Sequence, residues 1–426
     1  KLADGYFDAL HTNTLWISPI TQNPEDAWGL WNQGGPVSTF SGYHGYWPVS
    51  NIKPDYRFAS PEELHLFLDD AHEKEQNVLL DYVANHVHEL HPVYQKHPNW
   101  ATNKYTADGR LNTQLWDEER LTTWFDTFMP TLELRNDTVA ELMSDSALVW
   151  ITEYDFDGFR HDATKHIPMN FTRLLTQKIR AASEDHVYQI GETYGSDELI
   201  ASYVGSGKVD AQFNFNLYDA AFEAFTQEGA TFDRLRKALE SSLTYYGHHH
   251  LMGNISGNQD KPRFSSMASG HLSMSEDSKL AGWTREIPEP TERGYRKMAA
   301  MHAFNIAVPG IPILYYGDEI ALHGGNDPDN RKMMPFDFSP RQQQLFDRIA
   351  RLNENRTNIM ALNYGSTTVY QPEPHLLIIV RKYMEQEVRF FFNNSNEDRY
   401  LEEWDITVPS DGEIYQTRNC GQFNQD

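Results

Sequence analysis

Three carboxylates in this chain follow directly on short apolar runs, in Phe159-Arg160-His161-Asp162, Gln189-Ile190-Gly191-Glu192-Thr193 and Ser256-Gly257-Asn258-Gln259-Asp260. Two carboxyls facing each other across a glycosidic bond divide the labour of hydrolysis. One attacks or stabilises the anomeric carbon while the other protonates the departing oxygen. A third shapes the field of the site and holds sugar hydroxyls. Singly, such a residue is more often a helix cap or a loop ion pair; together the three form a testable constellation. Arg160 lies two residues before Asp162 on the same face of a strand, so its guanidinium can orient that carboxylate. The histidines offer a second chemistry. His86-Val87-His88, Lys165, His248-His249-His250 and Asp318 could serve a metal-dependent amidohydrolase through imidazole-bound zinc. That chemistry wants its His pair on the first barrel strand and further histidines on later strands. The triple His instead precedes a strand and follows Tyr245-Tyr246-Gly247.

The elements that must position these residues repeat one theme: a short apolar run, a turn, then an amphipathic helix. Strands are predicted at Thr14-Ser18, Val78-Asp81, Asp155-Phe159, Val187-Ile190, Val209-Phe213, about 250–255 and Ile311-Tyr316. Ser60-Pro61-Glu62-Glu63 is a capping box that opens a helix with Leu64, Phe67, Leu68 and Ala71 on one face. A second helix is predicted over about 138–150, and Phe171, Leu174, Leu175 and Ile179 mark a third. Strands alternating with helices imply parallel βαβ units, and this number favours a (β/α)8 TIM barrel over a doubly wound sheet. Residues 87–135, with Pro92, Pro98, Trp100, Gly109 and Trp116, break the rhythm and read as an inserted subdomain B after the third barrel strand. The predicted division is 1–86 and 136–358 for the catalytic barrel and 359–426 for a C-terminal antiparallel β domain.

Composition excludes several classes. Of 426 residues, 61 are Asp or Glu and 36 Lys or Arg, a formal charge of -25. A polyanion binder needs the opposite surplus, so nucleic acid is excluded as a partner. Cys420 is the single cysteine and cannot form an intrachain disulfide. No run of about 18 apolar residues is present to span a membrane. Oligomeric state is not legible.

The motifs carry a resemblance. Asp81-Tyr82-Val83-Ala84-Asn85-His86, Gly158-Phe159-Arg160-His161-Asp162-Ala163-Thr164-Lys165-His166, Gly191-Glu192-Thr193-Tyr194 and Gly257-Asn258-Gln259-Asp260-Lys261-Pro262-Arg263 resemble the four ordered motifs of the α-amylase family of glycoside hydrolases, family 13. Gly42-Tyr43-His44-Gly45-Tyr46-Trp47 and Gly310 to Glu319 are similar to its flanking motifs. The resemblance implies Asp162 as nucleophile, Glu192 as general acid and base, and Asp260 as the fixed acid binding sugar hydroxyls. Glu192 would then need a proton near neutral pH, encouraged by the neighbouring Asp162 and partial desolvation. The resemblance also implies His44 and His86 as hydrogen-bond partners of the sugar, Tyr46 as its stacking platform with Trp47 beside it, and Lys165 and His166 at the leaving-group sugars. A non-catalytic glucan-binding barrel is the other reading, but such proteins usually lack the acids this chain retains.

Substrate signals divide. Lys165-His166 and Tyr43-His44-Gly45-Tyr46-Trp47 resemble endo-acting α-amylases, whereas Gly324-Gly325-Asn326-Asp327-Pro328-Asp329-Asn330-Arg331 and Met129-Pro130-Thr131-Leu132-Glu133 are similar to neopullulanases and cyclomaltodextrinases. Weight on the first pair predicts retaining, endo-acting hydrolysis of α-1,4 bonds in starch-like glucans; the alternative is a cyclomaltodextrinase or neopullulanase-type hydrolase or transglycosylase. Gln259 departs from the family's usual His and cannot become cationic. A structural calcium is implied at Asn85, the His166 carbonyl and Asp126. Seven strands rather than eight suggest that the first barrel strand lies upstream of Lys1. A substrate too large to cross a membrane places the enzyme outside the cytoplasm, secreted or periplasmic.

Overall fold

In the computed structural model, which describes residues 1–31 and 38–420, Ser60 opens its helix as its neighbours dictate. The Glu63 N–H donates to Ser60 Oγ at 3.2 Å, and the Ser60 N–H donates to Glu63 Oε2 at 2.8 Å. Helix α1 (Pro61–Glu73) then buries Leu64, Leu68 and Ala71, at the spacing that keeps one helical face inward.

The chain divides into two packed units. One holds most of the chain up to Phe213; the other holds Asp8–His11 and the chain from Asn214 onward. In the first, β1 (Thr14–Ile17), α1, β2 (Asn77–Tyr82), α2 (Asp137–Thr152), β3 (Gly158–His161), α3 (Met169–Ala182), β4 (Tyr188–Gly191) and β5 (Ala211–Gln212) alternate as expected. The strands form one parallel sheet in the order β1-β2-β3-β4-β5. Its core joins Leu64 and Leu68 of α1 to Val78 and Leu80 of β2, Trp150 of α2, Phe159 of β3 and Phe171 and Leu175 of α3. Each such side chain contributes about 1.5–3 kcal/mol on burial.

Strand β3 starts three residues later than the sequence suggests. Asp155 sits at φ 68°, a left-handed turn. Asp157 Oδ2 accepts from the Val78 N–H at 2.7 Å and from His72 Nε2 at 3.0 Å, so its side chain caps the start of β2, while its own N–H donates to the Val78 carbonyl at 3.0 Å. Residues 87–135 hold a short helix (Pro92–Lys96) and isolated bridges such as Ala101 with Leu132. Buried side chains tie these turns: Asn112 Nδ2 donates to the carbonyls of Asn103 and Thr122, each at 3.1 Å. Trp28 to Trp31 pairs with Ser38 to Phe40 in a small antiparallel ribbon; the Trp31 side chain lies outside the described residues.

The second unit contains α4 (Phe215–Thr226), α5 (Asp233–Tyr246), β6 (Gly253–Ile255), α6 (Glu292–Ala307), β7 (Ile311–Ile313) and α7 (Pro340–Asn358). Strands β6 and β7 pair in parallel, both shorter than the sequence suggests. After a short helix at Met360–Tyr364 comes an antiparallel sheet of β8 (Ser366–Glu373), β9 (Leu376–Tyr383), β10 (Gln386–Asn393) and β11 (Gly412–Arg418), in that order. Among the described residues, no helix is long and apolar enough to cross a membrane.

Candidate active site

The parallel register of β2 and β3 sets Asp81 opposite Arg160. Arg160 is 1% exposed and spreads its guanidinium over three carboxylates. Nη1 donates to Asp81 Oδ1 at 2.8 Å and to Asp162 Oδ1 at 2.9 Å. Nη2 lies 2.8 Å from Glu192 Oε1. Asp81 is held further by the Tyr46 hydroxyl at 2.8 Å and Trp16 Nε1 at 3.2 Å. Rings enclose the cation, with the Trp16 centroid 5.4 Å and the Tyr46 and Phe213 centroids 5.9 Å from the guanidinium carbon.

Three acids around one base make a crowded field. Burial, with the charges of Glu192 and Asp81 adding to it, pushes the Asp162 carboxyl well above the usual aspartate range despite Arg160. Burial likewise raises Asp81, against the pull of Arg160 and the Tyr46 hydroxyl. Burial alone would lower Arg160, but Asp81 and Glu192 outweigh it and hold the guanidinium firmly charged. Sequence reasoning expected neighbouring charge and desolvation to act on Glu192; the same causes act here on Asp162, whose side chain is 10% exposed.

The backbone around these acids is shaped to fit. Ala163 adopts φ 49°, and its N–H donates to Glu192 Oε2 at 3.1 Å. Left-handed backbone at a non-glycine residue costs about 1–3 kcal/mol and tends to sit where function requires it. Gly191 leaves room beside Glu192: a Cβ there would come within 2.6 Å of Gln212 Nε2 and 2.8 Å of Thr164 Oγ1.

Of the expected sugar-binding residues, His44, Tyr46, Trp47, His86, Lys165 and His166 lie in this unit. His44 stacks on Tyr46 at 5.7 Å between centroids and accepts the Tyr46 N–H on Nδ1 at 3.0 Å. Trp47 packs edge-on against His44 and Phe128, at 4.7 and 5.0 Å. His86 is 2% exposed, and its Nε2 donates to the Tyr46 carbonyl at 3.2 Å, so it supports the Tyr46 backbone. Burial depresses it to about 4, which keeps it neutral. Lys165 Nζ reaches Asp117 at 2.6 Å. His166 Nδ1 donates to the Arg120 carbonyl at 2.7 Å, and burial depresses this histidine to about 4 as well. Arg120 returns the contact by donating to the Lys165 carbonyl and to the Tyr203 hydroxyl. Trp28 packs on His88 and Phe128 as a loop anchor.

Among the expected calcium ligands, Asn85 offers a buried Oδ1 with no hydrogen-bond partner, as an oxygen ligand requires. Asp126 turns Oδ1 onto the N–H and Oγ1 of Thr127, at 2.5 and 3.2 Å. Among the described residues, no group of three or more His, Cys, Asp or Glu is arranged to hold a metal ion. The zinc reading from His86, His88 and the triple His therefore gains no cluster to rest on.

Gln259 and Asp260 belong to the second unit. Asp260 receives its own turn through the Asn258 side chain, whose Oδ1 accepts the Asp260 N–H at 3.0 Å. Arg331 Nη2 lies 3.8 Å from Asp260 Oδ1, while its Nε meets Asp327 at 2.6 Å. Nearby, Arg263 pairs with buried Asp318 at 3.1 Å under the faces of Tyr315 and Tyr316. Asp318 thus serves an ion pair, not a metal. Sequence reasoning passed over Asp81, although an acid inside the apolar run Val78-Leu79-Leu80 signals a paired buried charge. Trp16, Arg120 and Asn330 carry no such local signal.

Known proteins share this arrangement of elements. The chain is 27% identical over 373 residues to a cyclomaltodextrinase of Geobacillus thermopakistaniensis, covering 85% of this chain and 58% of that protein. It is 25% identical to a cyclomaltodextrin glucanotransferase of Paenibacillus macerans, covering 94% of this chain and 54% of that one. The chain thus spans little more than half the length of these relatives. Its fold matches an α-amylase from Geobacillus thermoleovorans complexed with acarbose, with a TM-score of 0.79 at 24% identity, over 98% of this chain and 90% of that one. It also matches a cyclic α-maltosyl-(1→6)-maltose hydrolase from Arthrobacter globiformis, with a TM-score of 0.75 at 20% identity, over 98% and 89%. The family description "Alpha amylase, catalytic domain", which implies a (β/α)8 barrel, fits residues 4–360, and the chain therefore belongs to the α-amylase family of glycoside hydrolases, family 13.

Proposed function

We propose that this protein is a retaining α-glucan hydrolase or transglycosylase that opens cyclodextrins and short maltooligosaccharides in preference to long starch chains. The observation that carries the chemistry is the placement of Asp162 and Glu192 on the two terminal nitrogens of one buried guanidinium. Close carboxyls suit double displacement, in which Asp162 attacks the anomeric carbon while Glu192 protonates the leaving oxygen. Water, or a second sugar hydroxyl, then releases the glycosyl group with Glu192 as base. By its motif, Asp260 is the acid that holds sugar hydroxyls, with Gln259 next to it in sequence as a neutral hydrogen-bonding partner. Tyr46 supplies an aromatic face for the apolar side of the sugar ring.

The preference for small and cyclic substrates replaces the endo-amylase reading of the sequence. Relatives named cyclomaltodextrinase, cyclomaltodextrin glucanotransferase and intracellular maltogenic amylase support it. Lys165 and His166, which weighed toward endo-amylases, are engaged with Asp117 and Arg120 of the 87–135 segment and so have a local structural use. Short incubations with β-cyclodextrin, pullulan and soluble starch, followed by chromatography, test the proposal. Faster opening of β-cyclodextrin is expected; mixed oligosaccharides from starch with the cyclodextrin untouched would sink the preference.

The proposal extends to one structural calcium, with Asn85 Oδ1, the His166 carbonyl and the Asp126 carboxylate as its ligands. It would brace the 87–135 segment and leave the chemistry to the acids. A thermal midpoint unchanged by chelation and by added calcium would remove it.

A further inference from the structure

The Asp260 loop is fastened from outside its own motif. Asn330 is fully buried, and its Nδ2 donates to the Gln259 and Lys261 carbonyls, both at 2.8 Å. An amide nitrogen has two hydrogens, so these two short bonds use it up; the Asn258 carbonyl at 3.5 Å is a distant third. Gln259 and Lys261 are the residues on either side of Asp260. One side chain therefore bridges the two peptide carbonyls that flank the proposed third acid. All three neighbours of Nδ2 are carbonyl oxygens, which also fixes the amide's orientation.

The staple is itself held. The Asn330 carbonyl accepts from Arg263 Nε at 2.8 Å, and Arg263 is pinned by Asp318 and by the Tyr316 carbonyl at 2.6 Å. Gly324 and Gly325 bring the segment into place: a Cβ on Gly324 would meet the Asp329 carbonyl oxygen at 2.5 Å, and one on Gly325 the Ser278 carbonyl oxygen at 2.5 Å. The next residue, Arg331, faces the Asp260 carboxylate. The Asp260 side chain is 59% exposed, and the backbone on either side of it is held by the staple.

We infer that Asn330 is a positioning residue for Asp260, holding that carboxylate in the geometry needed in the transition state. The inference rests on the role proposed above for Asp260. Loss of the staple should act on turnover more than on binding, because a displacement of about 1 Å at a reacting group costs on the order of 100-fold in rate.

The test compares wild type, Asn330→Asp, Asp260→Asn and the double variant, using α-maltosyl fluoride as an activated donor and β-cyclodextrin as substrate. Asn330→Asp keeps the shape but replaces a donor by an oxygen facing two carbonyls. The expected result is a folded protein by circular dichroism, with kcat down by about 10- to 100-fold and KM within about threefold of wild type. Adding Asn330→Asp to Asp260→Asn should then cost little more, since the staple acts through the residue already removed. A folded Asn330→Asp enzyme with wild-type kcat overturns the inference, as does a full multiplicative loss in the double variant. If Asn330→Asp does not fold, Asn330→Ala is read by the same criteria. Failure of both to fold overturns it too, because the amide would then be holding the fold and not the carboxylate. A wild-type protein inactive on every α-glucan would sink the proposed function instead, an outcome distinct from all of these.

Discussion

Asp81 and Arg160 are register partners on adjacent parallel strands, each 1% exposed, and their side chains meet at 2.8 Å. A buried ion pair is weak evidence for stability, since desolvation offsets most of the attraction. Its use here is geometric: it fixes the cation on which Asp162 and Glu192 rest, while Asp81 carries no proposed bond-making role.

Asp162→Asn should abolish turnover of β-cyclodextrin and raise the thermal midpoint. An aspartate whose carboxyl is raised in the folded state binds its proton more tightly there than in the unfolded chain. Stability is then lost as pH rises through that folded value, so at neutral pH the ionised carboxylate is a burden that Asn relieves. A gain of about 1–3 °C in a calorimetric scan at pH 7 is expected. A midpoint lower than wild type would contradict the raised carboxyl.

Asp81→Asn should move the acid limb of kcat/KM to lower pH. The Asp81 charge is one of the causes that raise Asp162, so removing it lets Asp162 ionise in more acid solution. Turnover at the optimum should also fall, by roughly 10- to 100-fold, as Arg160 loses its anchor. An acid limb displaced upward would show that the coupling has been read with the wrong sign.

Tyr46→Phe should move that limb the same way, by less. The hydroxyl is one of the groups that hold Asp81 down; losing it raises Asp81, which then carries less charge where Asp162 titrates and repels it less. The ring remains as a platform, so KM should change by less than about threefold. Rate–pH profiles of the two variants run side by side check the shared direction, and a limb displaced upward in Tyr46→Phe would contradict it.

Gly45→Ala should destabilise the first unit. Gly45 has φ +86°, and a Cβ would sit 2.1 Å from the Pro19 carbonyl oxygen. Strain of this kind costs about 1–3 kcal/mol before any clash is counted. Guanidinium denaturation should show a lower midpoint at unchanged slope, and an unaffected midpoint would mean that the loop can yield.

The periodicity of Leu64, Leu68 and Ala71, the capping box at Ser60 and the apolar run Val78-Leu79-Leu80 made the strand–helix alternation legible, because those signals are local. The pairing of Arg160 with Asp162 was legible for the same reason: spacing along one strand settles which side chains share a face, whereas the roles of Asp162 and Glu192 came from the motifs that resemble the family. What escaped was set across strands and across loops. The partnership of Asp81 with Arg160 comes from a register 79 residues apart, and Asn330 reaches the Asp260 loop over 71 residues to Gln259. The start of β3 was misplaced because Asp155-Phe156-Asp157 is apolar enough at its centre to resemble a strand, while Asp155 sits in a left-handed turn and the Asp157 side chain caps β2. The seating of Trp28 against the rings of His88 and Phe128 is likewise set across loops.

The way Arg160 divides its two terminal nitrogens has a consequence for the proposed double displacement as it runs. Before the attack, Asp162 is charged and Glu192 carries the proton. Once the glycosyl ester has formed, Asp162 is neutral and Glu192 has given its proton away. The number of negative charges around the guanidinium is the same at both stages, with Asp81 constant throughout. Charge leaves the neighbourhood of Nη1 and reappears beside Nη2, a migration across a single resonant cation that needs neither rotation of a side chain nor entry of a counterion. Each half of the cycle thus begins in the electrostatic environment that the other half leaves behind.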